Sequence, residues 1–293
     1  LTLVYHNLPA RGPAANCDIL YSMYIGVDIG GTKTLIALMN DDGKIVKHQN
    51  YPTDARFPDF SKDLIHSLRE EFMTDEVKGI AVAAPGQIDY DSGEGVIFGN
   101  LPWHNVPLAK ILKQAFHLPV VVENDANTAA VAEARALDQP AKTVVYVTIG
   151  TGIGTGIVVD GCLDKNFQKS EGGWMHFEYD GQLQIWESFA SGKALYERYG
   201  QYARELEDEA AWKEVAGNIA LGLSNIAALL APEVIIIGGS IGQYFPKYGH
   251  FLEQSMDKLK EKMFNLPRIV QAKHPEEAVI YGCYYLLKDE LND

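Results

Sequence analysis

At 293 residues the chain is long enough for two domains with separate cores, and 47% hydrophobic with 22% charged residues is the composition of an ordinary soluble globular protein. A net charge of −14 excludes general attraction to nucleic acid or acidic membranes, so any anionic ligand must be held by local geometry. Cys17, Cys162 and Cys283 are scattered without a C-x-x-C pair, and no apolar run approaches the ~18–20 residues of a membrane-spanning helix; a cytoplasmic chain without a cysteine metal site is expected.

Residues 1–22 lack an initial methionine, periodicity and the charged-then-apolar order of a secretion signal, so a disordered or non-native extension is expected before Met23. The next stretch, Tyr24–Lys44, is a β-branched strand, then Gly30-Gly31-Thr32-Lys33, then a second apolar strand turning at Asp42-Gly43. Two glycines let the backbone approach a bulky anion, while Thr32 and Lys33 add a hydroxyl and a charge. Asp28 stands where a hydrated divalent cation could sit beside that anion. A Walker A loop is excluded because Thr32 follows the second glycine where lysine is required, and a dinucleotide fingerprint because 34–39 is a strand rather than a helix. Taken alone, the stretch fits a phosphate-binding hairpin and an ordinary glycine-kinked hairpin equally.

Farther along, Lys44–Asn50 adds a third strand and Phe60–Phe72 has the apolar spacing of a helix, with Phe60, Leu64, Ile65, Leu68 and Phe72 on one face. Gly79–Ala84 is a buried strand ended by Pro85-Gly86, Gly99–Val106 an irregular loop, and Pro107–Phe116 a helix. A strand over Val120–Glu123 leads through Asn124-Asp125 into a helix from Ala126 to about Leu137. Asn and Asp are favoured helix N-caps, which is the preferred reading of this junction from local sequence, although a carboxylate at a strand–helix junction can also face a cleft.

From Thr143 the opening pattern returns as strand, glycine turn, strand and Asp-Gly turn, with Gly150 in the place of Gly30 and Thr148 in the place of Asp28. Such a duplication points to two similar domains facing each other over one ligand. Helices follow from about Glu187 and over Trp212–Leu230. A strand at Val234–Ile237 ends in Gly238-Gly239-Ser240, a position where α/β proteins place ligands. A helix over about Pro246–Phe264, a strand at Arg268–Gln271 and a final helix at Glu276–Lys288 complete the chain.

VDIGGTK at 27–33, APGQID at 84–89, NLPW at 100–103, ENDANTAA at 123–130, TIGTGIGTGIVVDG at 148–161, ESFASGKAL at 187–195 and IIGGSI at 236–241 together resemble the ROK family of sugar kinases and repressors. The resemblance implies an α/β protein of two similar actin-like ATPase (ribonuclease H-like) domains, with mixed sheets flanked by helices and a ligand cleft between them. The expected domains are 23–137, with the final helix packing back on it, and 138–275. The implied activity is transfer of the γ-phosphoryl of ATP to a hexose, glucokinase-like, with Asp125 as general base. Asn124, Gly86 and Asn100 would line the sugar side with Glu171, Trp174 and Glu187. Gly30, Gly31, Thr32, Lys33, Gly150, Thr151, Gly152 and Gly154 would hold phosphate, Gly238 and Gly239 the adenosine side, and Asp28 would hold Mg²⁺ through water.

Two departures stand out. Ser170-Glu171-Gly172-Gly173-Trp174-Met175 occupies the place of the family's Gly-Glu-x-Gly-His, so Trp174 replaces a sugar-binding histidine and could stack on the sugar or join the core; His176 lies two residues on. The family's cysteine zinc loop is also missing: Phe177–Trp186 holds no cysteine or histidine, so no structural zinc is expected and packing by Phe177, Tyr179, Leu183 and Trp186 must hold this segment. Glucose is the first expected substrate; fructose, mannose, N-acetylhexosamines, a β-glucoside, and polyphosphate as donor stay open. Regulators of the family carry an N-terminal DNA-binding domain, which 22 residues could not supply, so no nucleic-acid or membrane partner is expected. The expected assembly is a homodimer.

Overall fold

The computed structural model describes residues 22–259, 265–275 and 277–292. The expected extension lies outside these residues except for Ser22, as do the last turn of the 246–264 helix and Glu276 at the start of the final one.

Three strands open the chain as an antiparallel meander: β1 (Met23–Ile29), β2 (Lys33–Met39) and β3 (Ile45–Pro52). Helix α1 (Phe57–Ser67) begins with Pro58 in its first turn and continues as a π-helical turn over Leu68–Phe72. That continuation keeps Phe60, Leu64, Leu68 and Phe72 in one buried stripe, as their spacing predicts. Strand β4 (Val77–Ala84) lies parallel to β1.

The expected loop over 99–106 is in part a strand: β5 (Gln87–Asp89), β6 (Glu94–Ile97) and β7 (His104–Val106) form a small antiparallel sheet. Strands of three or four residues are too short to show alternation in sequence. Trp103, just before β7, is buried against Phe57, Phe60 and Phe98 and donates its indole N–H to the Ala55 carbonyl at 2.9 Å. Helix α2 (Leu108–Phe116) leads to β8 (Val120–Asn124), which pairs with β4 to give the sheet order β3-β2-β1-β4-β8. Helix α3 (Asp125–Arg135) starts directly from the end of β8.

Strands β9 (Thr143–Ile149), β10 (Ile153–Val159) and β11 (Cys162–Leu163) repeat the antiparallel meander. The segment without cysteines becomes a hairpin, β12 (His176–Tyr179) and β13 (Gln182–Ile185). Phe177 and Tyr179 pack on Phe189 and Trp186 is fully buried, as expected, whereas Leu183 is 75% exposed on the outer face of this two-stranded ribbon. Helices α4 (Glu187–Ala190), α5 (Gly192–Tyr199) and α6 (Glu209–Leu230) follow, then β14 (Val234–Gly238), α7 (Gly239–Gly242), α8 (Phe245–Leu259), β15 (Arg268–Gln271) and α9 (Ala278–Asn292). The second sheet runs β11-β10-β9-β14-β15, with the same pattern of parallel and antiparallel neighbours as the first. The hairpin echo in the sequence is thus the visible part of a duplicated five-stranded sheet.

The two halves are joined by an exchange of helices. Helix α3 follows from the first sheet but packs on the second, through Ala129, Ala130, Val131 and Ala134 against Val144, Tyr146 and Val158. Helix α9 ends the second half and packs on the first sheet, through Ile280, Cys283, Tyr284 and Leu287 against Tyr24, Ala37 and Met39. The two helices touch at Gly282, where any side chain would run into the Thr128 carbonyl, and Arg135 pairs with Asp289 at 2.6 Å. Small residues at the crossing allow this approach.

Candidate active site

Asp28 is the last residue but one of β1, and Asp125 is the first residue of α3. Strands β1 and β8 run parallel to the same edge of the first sheet, which brings the two carboxyl groups near enough for the Asp125 charge to act on Asp28. Burial pushes the Asp28 carboxyl from 3.8 up to about 7, with the Asp125 charge adding to the rise and Lys33 opposing it. Burial raises Asp125 from 3.8 to about 6, against the lowering effect of the Ala126 N–H. Two neighbouring acids held above their ordinary range, with one lysine against them, form a site that favours an added cation.

That donor set fits a hydrated magnesium ion. Among the described residues no cluster of three or more His, Cys, Asp or Glu side chains could hold a metal alone. Mg²⁺ characteristically takes one or two carboxylates and fills its remaining positions with water and phosphate oxygens.

Asn124 is the N-cap of α3: its Oδ1 accepts from the Ala126 N–H at 2.9 Å and the Asn127 N–H at 3.2 Å. Its Nδ2 donates to the Gly86 carbonyl at 3.0 Å. The cap reading is therefore correct, and it leaves one Nδ2 hydrogen for a ligand. Asp125 Oδ1 accepts from the Ala126 N–H at 2.8 Å, which fixes the carboxylate and leaves Oδ2 available. Gly86 has φ +95°, and a Cβ there would strike the Ile97 carbonyl, so only glycine makes this turn.

Gly86, Asn124 and Glu171 line one cavity of about 280 Å³, together with Tyr90, Gln168 and Lys169. Glu171 stands high for a carboxyl through burial first and then the Asp125 and Glu187 charges. Glu187 lies at the second hairpin, where its Oε2 accepts from the Ile153 N–H at 3.2 Å beside Gly152. Asn100 is exposed and sits against Gly31, nearer the first glycine turn than this cavity. Trp174 is 60% exposed and is not among the residues lining the cavity; it belongs to no core. His176 is exposed as well.

The first turn closes with the Gly30 N–H on the Lys33 carbonyl at 2.9 Å, leaving Thr32 and Lys33 exposed. In the second the Gly150 N–H bonds the Gly152 carbonyl at 2.9 Å, Thr151 is exposed, and Gly154 lies against Ala126, next to Asp125. Gly238 sits on the Tyr146 ring, and Gly239, with φ +75°, lies over Ile149 and Thr148. Ser240 reaches Gly150, so the third glycine turn is brought beside the second.

Sequence reasoning missed a buried network under the cavity. Glu123, 3% exposed, accepts from Tyr90 Oη, the Asn124 N–H, Asn127 Nδ2 and Gln168 Nε2. A signal for it existed: a single carboxylate inside the apolar strand Val120–Asn124.

A family model described as the ROK family matches residues 24–290. The glucokinase of Thermotoga maritima is 27% identical over 91% of this chain and 98% of its own. A xylose repressor of Caldicellulosiruptor bescii is 27% identical, covering 91% of this chain and 78% of the repressor. Among solved structures, a ROK family protein from Streptococcus pneumoniae in complex with sucrose superposes with a TM-score of 0.80 at 27% identity, over 92% of this chain and 99% of that one.

Proposed function

Because the chain belongs to the ROK family, we propose that it is an ATP-dependent hexose kinase of glucokinase type with Asp125 as general base. The observation that carries this reading is the placement of Asp125: fixed by its own helix N-terminus, near Asp28, one residue after the cavity-lining Asn124 and one before Ala126, which meets the second glycine hairpin at Gly154. A sugar hydroxyl is a weak nucleophile, and the free Oδ2 accepts its proton as the new P–O bond forms. Asn124 and Glu171 hold other hydroxyls and set which one faces Oδ2. The backbone N–H groups of the turns at Gly30 and Gly150, with Thr32, Lys33 and Thr151, hold the donor phosphates, and the Gly238-Gly239 turn the adenosine. Asp28 would hold Mg²⁺ through water, and the ion when bound neutralises phosphate charge. Closure of the lobes about the α3–α9 pair excludes water, which limits wasteful hydrolysis. Glucose is the first acceptor to test.

A coupled assay of ADP release over a panel of glucose, fructose, mannose, N-acetylhexosamines and a β-glucoside tests the proposal. We expect turnover with at least one hexose and a loss of about 10²–10⁴-fold in kcat for Asp125→Asn, with sugar binding retained. Near-normal turnover in that variant refutes the base assignment. No turnover with any sugar, by ATP or polyphosphate, alongside tight sugar binding would make the protein a sugar sensor instead.

A further inference from the structure

We infer that Glu123 and Gln168 are positioning residues, forming a buried carboxylate–amide tie that holds the Glu171 segment of the second half against the base-bearing strand of the first. The inference rests on the kinase reading for its functional meaning, but its geometry stands independently. Gln168 Nε2 donates to Glu123 Oε2 at 2.9 Å, while Glu123 Oε1 takes the Asn124 N–H at 2.7 Å, Tyr90 Oη at 2.9 Å and Asn127 Nδ2 at 2.9 Å. The second Asn127 hydrogen goes to the Gln168 carbonyl, also at 2.9 Å. One carboxylate therefore grips Asn124, the residue directly before Asp125, and by its other oxygen the segment that leads to Glu171.

The tie matters because little else supports that segment. On its far side lies a second cavity of about 640 Å³, lined by Ser170, Glu171 and Gly172 with Phe167, Met175 and Leu229. No packed core presses the segment into place from there. Besides the Glu123 network and the local turns that join the Ser170 N–H to the Phe167 carbonyl at 2.9 Å and the Trp174 N–H to the Glu171 carbonyl at 3.0 Å, the segment is held to β10 by the Thr155 hydroxyl, which accepts the Gly172 N–H at 3.0 Å and makes a longer bond to the Ser170 carbonyl at 3.4 Å. The donors around Glu123 match an ionised carboxylate: four N–H or O–H groups point at its two oxygens. Burial works against ionisation and these bonds work for it. A buried carboxylate is worth keeping only if both its oxygens are satisfied, and those of Glu123 are.

A charge swap tests the tie. Gln168→Glu sets two buried carboxylates against each other, and at pH 8 the KM for the hexose should rise about tenfold with a much smaller change in kcat. At pH 6 the facing acids share a proton and most of that rise should disappear. The reversed pair Glu123→Gln/Gln168→Glu should bring KM back to within about threefold of the wild type. Wild-type KM in Gln168→Glu at pH 8, or a double variant no better than the single, overturns the inference. Hydrogen exchange at residues 168–172 provides a readout that needs no substrate and no drastic substitution: Tyr90→Phe, which removes one hydroxyl, should speed it, and unchanged exchange also overturns the inference. Should the wild type phosphorylate no hexose, the kinase reading falls, and the tie is still decided by exchange.

Discussion

If Asp125 is kept ionised for its chemistry, the fold is less stable for it, and Asp125→Asn should be more stable than the wild type while it is inactive. The asparagine keeps the Oδ1 acceptor for the Ala126 N–H and removes only the charge. A carboxyl held at about 6 in the fold against 3.8 outside it loses stability as pH rises from about 4 to about 6 and carries the whole penalty above that. The full penalty is about 3 kcal/mol, and partial access of water to the half-buried group brings the expected gain to roughly 1–3 kcal/mol. For a chain of this size that is roughly 2–5 °C in Tm at pH 8, shrinking to about half by pH 5. The assay is thermal unfolding of both proteins at the two pH values, in EDTA and without nucleotide. An equal or lower Tm for the variant at pH 8, or a gain that does not shrink at pH 5, refutes the idea that the site stores unfavourable charge.

Asp28→Asn should raise KM for Mg-ATP by about tenfold or more and abolish the stabilisation that Mg²⁺ with a non-hydrolysable ATP analogue gives the wild type; an undiminished Tm shift would remove Asp28 from the metal's surroundings. Gly86→Ala forces a Cβ onto the Ile97 carbonyl at φ +95° and should cost about 1–3 kcal/mol, read from urea midpoints, with a weaker sugar affinity beside it; an unchanged midpoint would show that the turn can relax. Glu133 is buried, accepting the Lys273 N–H at 2.6 Å and the His274 N–H at 2.7 Å, and thereby fixes the chain entering α9. In Glu133→Gln one of those N–H groups faces an amide N–H₂, and a loss of about 1–3 kcal/mol is expected in chemical denaturation.

Much of the fold was legible because its core elements are long and periodic. The stripe from Phe60 to Phe72 and the apolar strand Val234–Gly238 could each bury only one way. The small sheet of β5, β6 and β7 was not legible, since three-residue strands next to glycines and prolines carry no period. Nor was the packing of α3 on the second half, though the return of the final helix to the first was expected from the family resemblance: α3 is mostly alanine, and such a helix shows that it packs closely without saying against what. In the site, motif spacing located the residues of the two turns and the Asn124-Asp125 junction. It could not show that Asn124's oxygen is spent on the cap, or that Trp174 stands in solvent while Tyr90 and Gln168 line the cavity. Those outcomes depend on which side chains the surrounding strands leave room for.

The two glycine hairpins show how a duplicated element acquires two uses. In the first, Ile29 pairs with Thr34, so four residues form the turn; in the second, Ile149 pairs with Ile153 and three suffice. The longer turn has room for the exposed Thr32 and Lys33 together, a hydroxyl and a cation beside Asp28. The tighter one carries only Thr151 outward. At the place equivalent to Asp28 the second copy has Thr148, which lies against Gly239, while Gly238 rests on the Tyr146 ring. A carboxylate there would crowd the Gly239 turn, and the turn Gly150-Thr151-Gly152 carries no lysine of its own beside it. The threonine instead supports the third glycine turn. On the proposed reading, one hairpin supplies charge beside the phosphates and the other supplies shape.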